Sequence, residues 1–496
     1  MFNQQELFIG LTIFIAFIVS SVLAVFSGLQ AAILGAGIVI ALAIAYGYPR
    51  LGLWAFLIYL PFGGTISYGI GSVYQAVGGE VTYNNSIYAL FHLAKDAFYF
   101  PALLAIFISG FGFNWFKKPE RKPLVLTILV LLGFCLLTML FVNLPQELEA
   151  QRGSPLLMAV MGLKVWLGYI PLIICADYLI RDKQDLSLLM RLTVILILIC
   201  CGLCLMQYLL LVNGICEGSS NLPEPANNRA SLQARCFVGG SLLYNPKWGL
   251  IRLPGTFVSP WQWGWFLIAS IFFAFGGSVS ESSRNWKIVS WGAIAFILII
   301  SLLSGQRISL LLVPIIFLVL LFVTETNKKI LGIKLGIITF LAMIASSLGI
   351  VQERVSNFIA RWNYAPPTGF ILKEYKRVLN SFELLGNGLG TTASAVRRLG
   401  KIELIEVFHG KLLYEIGLGG LLAFIAVVSV LTWLTFKAYQ QIKDKSLRRL
   451  GICLWVFVLF ISYNIYYYPL VVDPVAVYYW FFAGVLLKLP EICNKS

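Results

Sequence analysis

His409 is one of two histidines in the 496-residue chain, and it stands where a long polar segment meets a hydrophobic one. Imidazole exchanges a proton near neutral pH, so a histidine at this boundary could act as a general base or acid. At a membrane surface, such a base could act on a substrate that a lipid carries. His409 is therefore the first candidate for a reactive residue.

Arginines near the ends of hydrophobic segments form a second group of candidates. Arg307 begins one such segment, Arg252 precedes another, and Arg377 lies in a long polar connection. A guanidinium group binds phosphate oxygens through two parallel hydrogen bonds, so several of them on one face would suit a pyrophosphate. Snorkelling to lipid headgroups is the structural alternative for Arg307. The same connection also contains Arg361, Arg397 and Arg398.

Metal and nucleotide chemistry have little support in the sequence. No spacing of the two histidines and nine cysteines is typical of a zinc site, and we expect neither a metal nor a cofactor. Gly386–Gly390 has no strand before it, so its glycines indicate a sharp turn or a close approach rather than a nucleotide loop. Cys216 and Cys236 flank a polar segment outside the membrane, and the sequence leaves open whether they form a disulfide.

The composition indicates that membrane-spanning helices position these residues. The chain is 59% hydrophobic with a mean hydropathy of +0.85. Its net charge of +15 comes from short clusters between apolar segments, which favours membrane topology over nucleic-acid binding. We predict an all-α, polytopic transmembrane helix bundle of about 12–14 spans, because stretches of about 20 apolar residues recur along the chain.

The alternation of apolar and polar segments predicts five regions and a topology. Basic clusters fall in alternate connections, so the positive-inside rule places both termini in the cytoplasm. The predicted regions are N-terminal transmembrane helices (1–212), an outer loop (213–255), central transmembrane helices (256–350), a large helical periplasmic loop (351–410) and C-terminal transmembrane helices (411–496).

Three motifs resemble the O-antigen ligase and O-antigen polymerase superfamily of bacterial membrane glycosyltransferases. Arg252–Phe257 resembles the family's arginine and glycine-phenylalanine entry to a span, and Ser304–Arg307 resembles its serine-arginine helix start. Gly386–Gly390, His409 and Leu413–Gly420 resemble its glycine pair, loop histidine and glutamate-X-glycine helix start. The matching region covers about the C-terminal half of the chain.

The resemblance implies a metal-independent transfer of a glycan from an undecaprenyl-diphosphate carrier to an acceptor sugar on the periplasmic face. His409 would be the base that takes a proton from the acceptor hydroxyl, while cations stabilise the departing diphosphate. The residues that would hold the diphosphate are Arg252, Arg307 and Arg377. The residues that would support the loop beside the histidine are Gly386, Gly388 and Glu415.

The resemblance also implies the partners of the chain. These are the undecaprenyl-diphosphate-linked glycan, an acceptor glycan or glycolipid, membrane lipids and a chain-length regulator, with no nucleic acid. Polymerase and ligase stay open, although the motif from Arg252 to Pro260 is closer to an exopolysaccharide or O-antigen polymerase. The alternative from another functional class is a lipid-linked oligosaccharide flippase. The arginines argue against a flippase, because they lie at outer helix ends and in outer loops. A third hypothesis is a membrane protein with a scaffolding function.

Overall fold

The computed structural model describes residues 4–27, 29–69, 86–149, 153–393, 396 and 399–494. Helices account for about 78% of the structure, and the described residues contain one sheet, of two strands. The protein is therefore all-α, as its composition predicts. It forms two compact units: the first unit is Met1–Asn114, Ile195–Gly264 and Ile299–Gln306, and the second unit is Trp115–Val194, Trp265–Leu298 and Arg307–Ser496.

The helices before residue 213 differ widely in length. In chain order they are α1 (Gln4–Ser27), α2 (Leu29–Gly47), α3 (Pro49–Tyr59), α4 (Ser86–Ile108), α5 (Phe111–Lys117), α6 (Lys122–Thr138), α7 (Leu144–Leu148), α8 (Pro155–Leu167), α9 (Leu172–Leu179) and α10 (Lys183–Val212). A π-helical segment, Met139–Asn143, joins α6 to α7. With the 3-10 turn Pro119–Arg121 before them, these three elements make one continuous helix, Pro119–Leu148, of 30 residues.

The helices after residue 255 include the longest of the described chain. In order they are α11 (Pro260–Ser280), α12 (Arg284–Leu303), α13 (Arg307–Thr324), α14 (Lys328–Ser346), α15 (Gly349–Tyr364), α16 (Pro367–Asn380), α17 (Phe408–Gln441), α18 (Lys445–Ser462) and α19 (Val475–Asn494). The strands β1 (Leu243–Asn245) and β2 (Leu250–Arg252) pair antiparallel in the preceding connection.

The protein is a multi-pass membrane protein. Nine helices of the described chain are long and apolar enough to cross a bilayer, or eleven if each of two bent helix pairs counts as one span. The sequence predicts about 12–14 spans, and local breaks account for part of the difference. The predicted span 97–115 is broken, because Ala94–Ile108 and Phe111–Lys117 meet at 70°. The predicted span 51–63 contains α3, an 11-residue helix.

The connection 213–255 is more ordered than a simple polar loop. A disulfide joins Cys216 to Cys236, which answers the question that the sequence left open. Gln207 of α10 donates a side-chain hydrogen bond to the carbonyl of Cys236 over 3.3 Å, so the disulfide is fixed to the helix before it. The strands β1 and β2 follow, and sequence analysis did not predict them.

The connection between α14 and α17 contains two helices, α15 and α16, as its apolar and charged pattern predicts. Both carry large exposed apolar side chains, including Trp362 and Leu372. The helix α17 begins at Phe408, three residues earlier than predicted, because Val407 and Phe408 are buried and continue the apolar segment. His409 consequently lies in the first turn of α17.

Interlocked aromatic rings fill the core of the second unit. Phe273 of α11 stacks on Phe482 of α19 with ring centroids 4.1 Å apart, and it meets Phe457 of α18 edge-on at 5.1 Å. Aromatic pairs in these arrangements are favourable beyond the area that they bury. This packing holds α11, α18 and α19 together and so fixes the connection between α18 and α19.

Candidate functional site

The glycines of the segment Gly386–Gly390 occupy positions that no other residue would fill without strain. Gly386, Gly388 and Gly390 have φ angles of 76°, 110° and 82°, in the left-handed region. A Cβ atom on Gly386 would lie 2.4 Å from the backbone of Glu415, and one on Gly390 would lie 2.1 Å from the carbonyl oxygen of Met158. The glycines therefore bring this loop, the glycine loop, against α8 and α17.

Glu415 of α17 fixes the glycine loop from the side of the helix. Its side chain is 1% exposed and accepts four hydrogen bonds. Two come from the backbone N–H groups of Gly390 (3.0 Å) and Thr392 (2.8 Å), and a third comes from the Thr392 hydroxyl (2.6 Å). Trp166 of α8 donates the fourth, over 2.8 Å. Glu415 is thus a positioning residue for the loop.

A break within α17 makes room for this contact. Gly417 has φ 68° and ψ −172°, and a Cβ atom there would lie 2.0 Å from the carbonyl oxygen of Leu384. The N–H of Asn387 donates to the carbonyl of Tyr414 over 2.7 Å. The short helix that begins at Phe408 is therefore set apart from the rest of α17, and the glycine loop packs at the break.

Asn143 holds the other side of the glycine loop, and sequence analysis missed it. It lies in the π-helical segment and is fully buried. Its Oδ1 accepts the N–H of Leu389 over 2.9 Å, and its Nδ2 donates to the carbonyl of Pro155 over 3.2 Å. Irregular helical turns of this kind are frequent at functional sites. The signal in the sequence was an asparagine within an apolar segment.

Lys411 is a second residue that sequence analysis missed. Its side chain is buried, and Nζ donates to the carbonyl of Thr392 over 3.1 Å. The same ammonium lies 4.4 Å from the centre of the Tyr468 ring, a cation–π contact. Lys411 and Glu415 are four residues apart on α17, a spacing at which opposite charges attract on one helical face. That spacing was the available signal.

His409 follows a residue that is firmly anchored. The ring of Phe408 meets Trp166 at 5.7 Å and Phe424 at 5.2 Å, so the first turn of α17 is held in the bundle. His409 is half-buried, with its ring edge-on to Phe408 at 5.5 Å. Its Nδ1 atom has no hydrogen-bond partner among the described residues. That nitrogen is also buried.

Three consecutive tyrosines lie beside this turn, in the connection between α18 and α19. The N–H of Phe408 donates to the carbonyl of Tyr467 over 2.9 Å, which joins the tyrosines to the start of α17. Tyr467 has φ 56°, a strained value for an aromatic residue. Tyr466 packs edge-on against the Tyr467 ring at 4.5 Å. We call Tyr466–Tyr468 the tyrosine segment.

Arg307, the first residue of α13, acts electrostatically on the tyrosine segment. Burial raises the pKa of Tyr466 above its ordinary value of 10.0, Tyr467 raises it further, and the positive charge of Arg307 acts in the opposite direction. The Nη1 atom of Arg307 donates to the carbonyl oxygen of Arg361 over 3.3 Å. His409 and Arg307 therefore both have the tyrosine segment as a neighbour.

Arg377 of α16 contacts carboxylates. It forms an ion pair with Glu403, lies 3.8 Å from a carboxylate oxygen of Glu374 and donates to the carbonyl of Leu404 over 3.2 Å. Glu374 accepts the N–H of Glu406 over 3.0 Å. These contacts join α16 to the segment that leads into α17. In this structure Arg377 is a tether between the two, whereas Arg307 contacts a backbone carbonyl.

The predicted site residues fall in both units of the chain. His409, Arg307, Arg377, Gly386, Gly388 and Glu415 all belong to the second unit, whereas Arg252 belongs to the first. There Arg252 ends β2 and pairs with Leu243 of β1. Arg397 and Arg398 lie outside the described residues. Among the residues that the structure describes, no group of three His, Cys, Asp or Glu side chains could hold a metal ion.

No protein-family model matches this chain, and comparison with curated proteins finds no match. The resemblance to the O-antigen ligase and polymerase superfamily therefore depends on the three sequence motifs. The contacts around His409 are therefore the structural basis for a proposed function.

Proposed function

We propose that this protein is a membrane glycosyltransferase that moves a glycan from an undecaprenyl-diphosphate carrier to an acceptor sugar. The reaction would take place on the periplasmic face of a bacterial inner membrane, and it would make the protein a polysaccharide polymerase or ligase. One observation carries the proposal: the tyrosine segment contacts the first turn of α17 beside His409, and Tyr466 lies in the field of Arg307. The tyrosine segment is thus a neighbour of both a histidine and an arginine, each of which stands at the start of an apolar helix.

In the proposed reaction, the imidazole of His409 accepts the proton of an acceptor hydroxyl. The acceptor oxygen attacks the anomeric carbon of the donor glycan, and the bond from that carbon to the diphosphate oxygen breaks. The electron pair of this bond leaves with the diphosphate on its lipid. The imidazolium then gives its proton to water or to the diphosphate, so His409 is regenerated.

Arg307 supplies the charge that the leaving diphosphate needs. Its guanidinium stands at the N-terminus of α13, where the partial positive charge of the helix end adds to its own. The guanidinium and the positive helix end repel each other when no anion is present, whereas both attract an anion that binds there. This arrangement supports diphosphate binding by Arg307. The contacts of Arg377 with Glu403 and Glu374 give that residue a positioning role instead.

The glycine loop supports the proposal by holding the short helix in place. Its hydrogen bonds with Glu415, Tyr414 and Asn143 fix the turn on which His409 stands. A base placed by a rigid scaffold keeps its distance to the substrate and loses little entropy on reaction. Gly386 and Gly388 are part of this support.

The proposal is tested with purified protein in lipid nanodiscs and lipid-linked repeat units as the sole substrate. We expect longer lipid-linked glycans without added nucleotide, and the same products in the presence of EDTA. His409→Ala should reduce extension by about a hundredfold or more, because general-base catalysis contributes about 10²–10⁴-fold. Tyr463→Phe is the matched control, since Tyr463 stands three residues before the tyrosine segment and its hydroxyl donates to Ser429, outside the site.

Other outcomes would reject the proposal. If His409→Ala extends glycans as fast as the unchanged protein, His409 is not the base. If the nanodisc reaction yields no longer product, while vesicles containing the protein move lipid-linked glycans between leaflets, the protein is a transporter.

A further inference from the structure

The aromatic residues next to His409 form a cluster that the mechanism above does not use. Phe370 of α16 contacts two members of the tyrosine segment: it meets Tyr466 edge-on at 6.2 Å and Tyr467 at 5.9 Å with the rings inclined by 34°. None of the three rings is fully buried. Partly exposed rings from two separate connections are thus gathered at one place. We call Phe370, Tyr466 and Tyr467 the aromatic platform.

Glu406 adds a carboxylate to this platform. It stands two residues before Phe408, whose N–H donates to the carbonyl of Tyr467, and its negative charge acts on Tyr466. Burial against its neighbours raises the pKa of the Glu406 carboxyl, and the nearby carboxylate of Glu374 raises it further, while Lys411 opposes both.

The backbone of Tyr467 is strained to hold its ring at this place. A φ of 56° is unfavourable for an aromatic residue relative to the right-handed or extended regions. The hydrogen bond from Phe408 to the Tyr467 carbonyl maintains that conformation. Strain of this kind persists where the surrounding structure imposes it, and it concentrates at ligand sites.

The chemistry of the platform matches one class of ligand. A pyranose sugar presents a face of C–H bonds that packs on an aromatic ring, and a rim of hydroxyls that donate to carboxylates. Aromatic side chains with a few polar groups are typical of small-molecule sites. We propose that Phe370, Tyr466, Tyr467 and Glu406 form a subsite that binds one sugar ring of the acceptor glycan beside His409.

This inference rests on the proposed function, since it names the acceptor's subsite. The alternative for tyrosines at a helix end is anchoring to lipid headgroups. Two features favour the sugar: the platform includes Phe370 from another connection, and Glu406 would repel anionic headgroups. An anchoring role would also make no use of the strained conformation of Tyr467.

The test measures sugar binding without requiring transfer. The probe is the free oligosaccharide that mild acid releases from the lipid-linked repeat units, and saturation-transfer NMR records its affinity for the protein in nanodiscs. Tyr467→Gly removes the ring and accepts the left-handed backbone. We expect it to weaken binding about tenfold, whereas Tyr467→Phe, which keeps the ring, should bind within about threefold of the unchanged protein.

Two further variants make the test robust to loss of folding. Tyr466→Leu keeps apolar volume against Phe370 but removes a ring, and it should also weaken the probe. Tyr463→Ala removes an exposed ring outside the platform and should leave binding unchanged. Equal binding by Tyr466→Leu, Tyr467→Gly and the unchanged protein would overturn the subsite. In that event normal glycan extension would leave the proposed function standing. Weaker probe binding by both variants, with no glycan extension by the unchanged protein, would keep the subsite and reject the transferase.

Discussion

Two polar regions of the second unit differ in how their charges are used. In the first, which we call the ion-pair network, Asp177 of α9 contacts Arg121 at 3.1 Å and Lys488 at 2.9 Å. Lys488 also contacts Glu491, which pairs in turn with Lys118 at 2.8 Å. In the second, around His409, a histidine nitrogen lacks a partner among the described residues and Arg307 donates to a backbone carbonyl.

The difference indicates what each region is for. Each charge of the ion-pair network contacts at least one opposite charge, and the network joins α9 and α19 to the turn before α6. Buried charges of this kind are tolerated only when each one is paired. Around His409, the imidazole and Arg307 are incompletely paired among the described residues. The hydrogen bonds of the glycine loop fix the backbone near them. Paired charges stabilise the scaffold, whereas the incompletely paired groups are those to which the proposed function assigns a ligand.

The largest effect is expected from breaking the ion-pair network. Asp177→Asn removes the shared anion and leaves Arg121 and Lys488 buried with less compensation. We expect a loss of about 3 kcal/mol in the free energy of unfolding. Thermal unfolding in detergent measures it, and glycan extension per folded molecule should stay normal. If Asp177→Asn is as stable as the unchanged protein, the network does not stabilise the fold.

The glycine loop is intermediate between these two regions, because the buried carboxylate of Glu415 is paired with backbone N–H donors of the loop. Glu415→Gln keeps the shape but places an NH₂ group where N–H donors point, which leaves one or two buried donors unsatisfied. We expect a loss of about 2 kcal/mol in stability, together with slower extension because His409 is less well positioned. Thermal unfolding and extension rates are both measured. Lower stability with unchanged extension would show that the loop does not position the base.

A smaller effect is expected for Arg307. Arg307→Lys keeps the charge but loses the planar fork, and we expect donor affinity to fall about tenfold with stability unchanged. Arg377→Lys is the matched comparison, since its ion pair with Glu403 makes it a tether. The KM for the lipid-linked donor is measured in both. If Arg377→Lys raises KM more than Arg307→Lys does, the roles of the two arginines are reversed.

The smallest effect is expected from a more open ion pair. Arg191 donates to both carboxylate oxygens of Glu281, at 2.7 and 2.9 Å, and this hydrogen bonding lowers the pKa of Glu281 from 4.5 to about 2. A lowered pKa contributes stability that is present above pH 4.5 and lost as the pH falls towards 2. We expect less than about 1 kcal/mol, because solvent screens the pair.

Unfolding of the protein in detergent between pH 5 and pH 2 measures the contribution of Glu281. Arg191→Met should remove this part of the pH dependence. The same pH dependence in Arg191→Met as in the unchanged protein would show that the ion pair does not cause it.

The helical class followed from composition, whereas helix breaks did not. Runs of apolar residues near the length of a bilayer predict α10, α13 and α17 well, because hydropathy alone requires them to be helical in lipid. The 70° bend between α4 and α5 occurs at Gly110, which has φ 80°. A glycine in an apolar segment does not by itself predict a bend. The strands β1 and β2 are too short for the sequence pattern to reveal.

For the site, the sequence identified the residue types and missed their supports. The glycines of the loop predicted a close approach, and the structure gives them left-handed conformations against α8 and α17. Asn143 and Lys411 were missed because their partners are backbone groups more than 15 residues away, at Leu389 and Thr392. Contacts of this kind have no local spacing to detect. The tyrosine segment was missed for the same reason.

The sequence by itself determined that the chain crosses a membrane many times, since its apolar segments can satisfy their backbone polar groups only as helices. It also supplied a histidine, several arginines and three closely spaced glycines. Only the tertiary structure decided which of these share neighbours: the tyrosine segment beside His409 and near Arg307, the paired state of Arg377, and the carboxylate of Glu415 under the glycine loop. Such neighbours depend on how distant helices pack, which side-chain contacts over the whole unit determine.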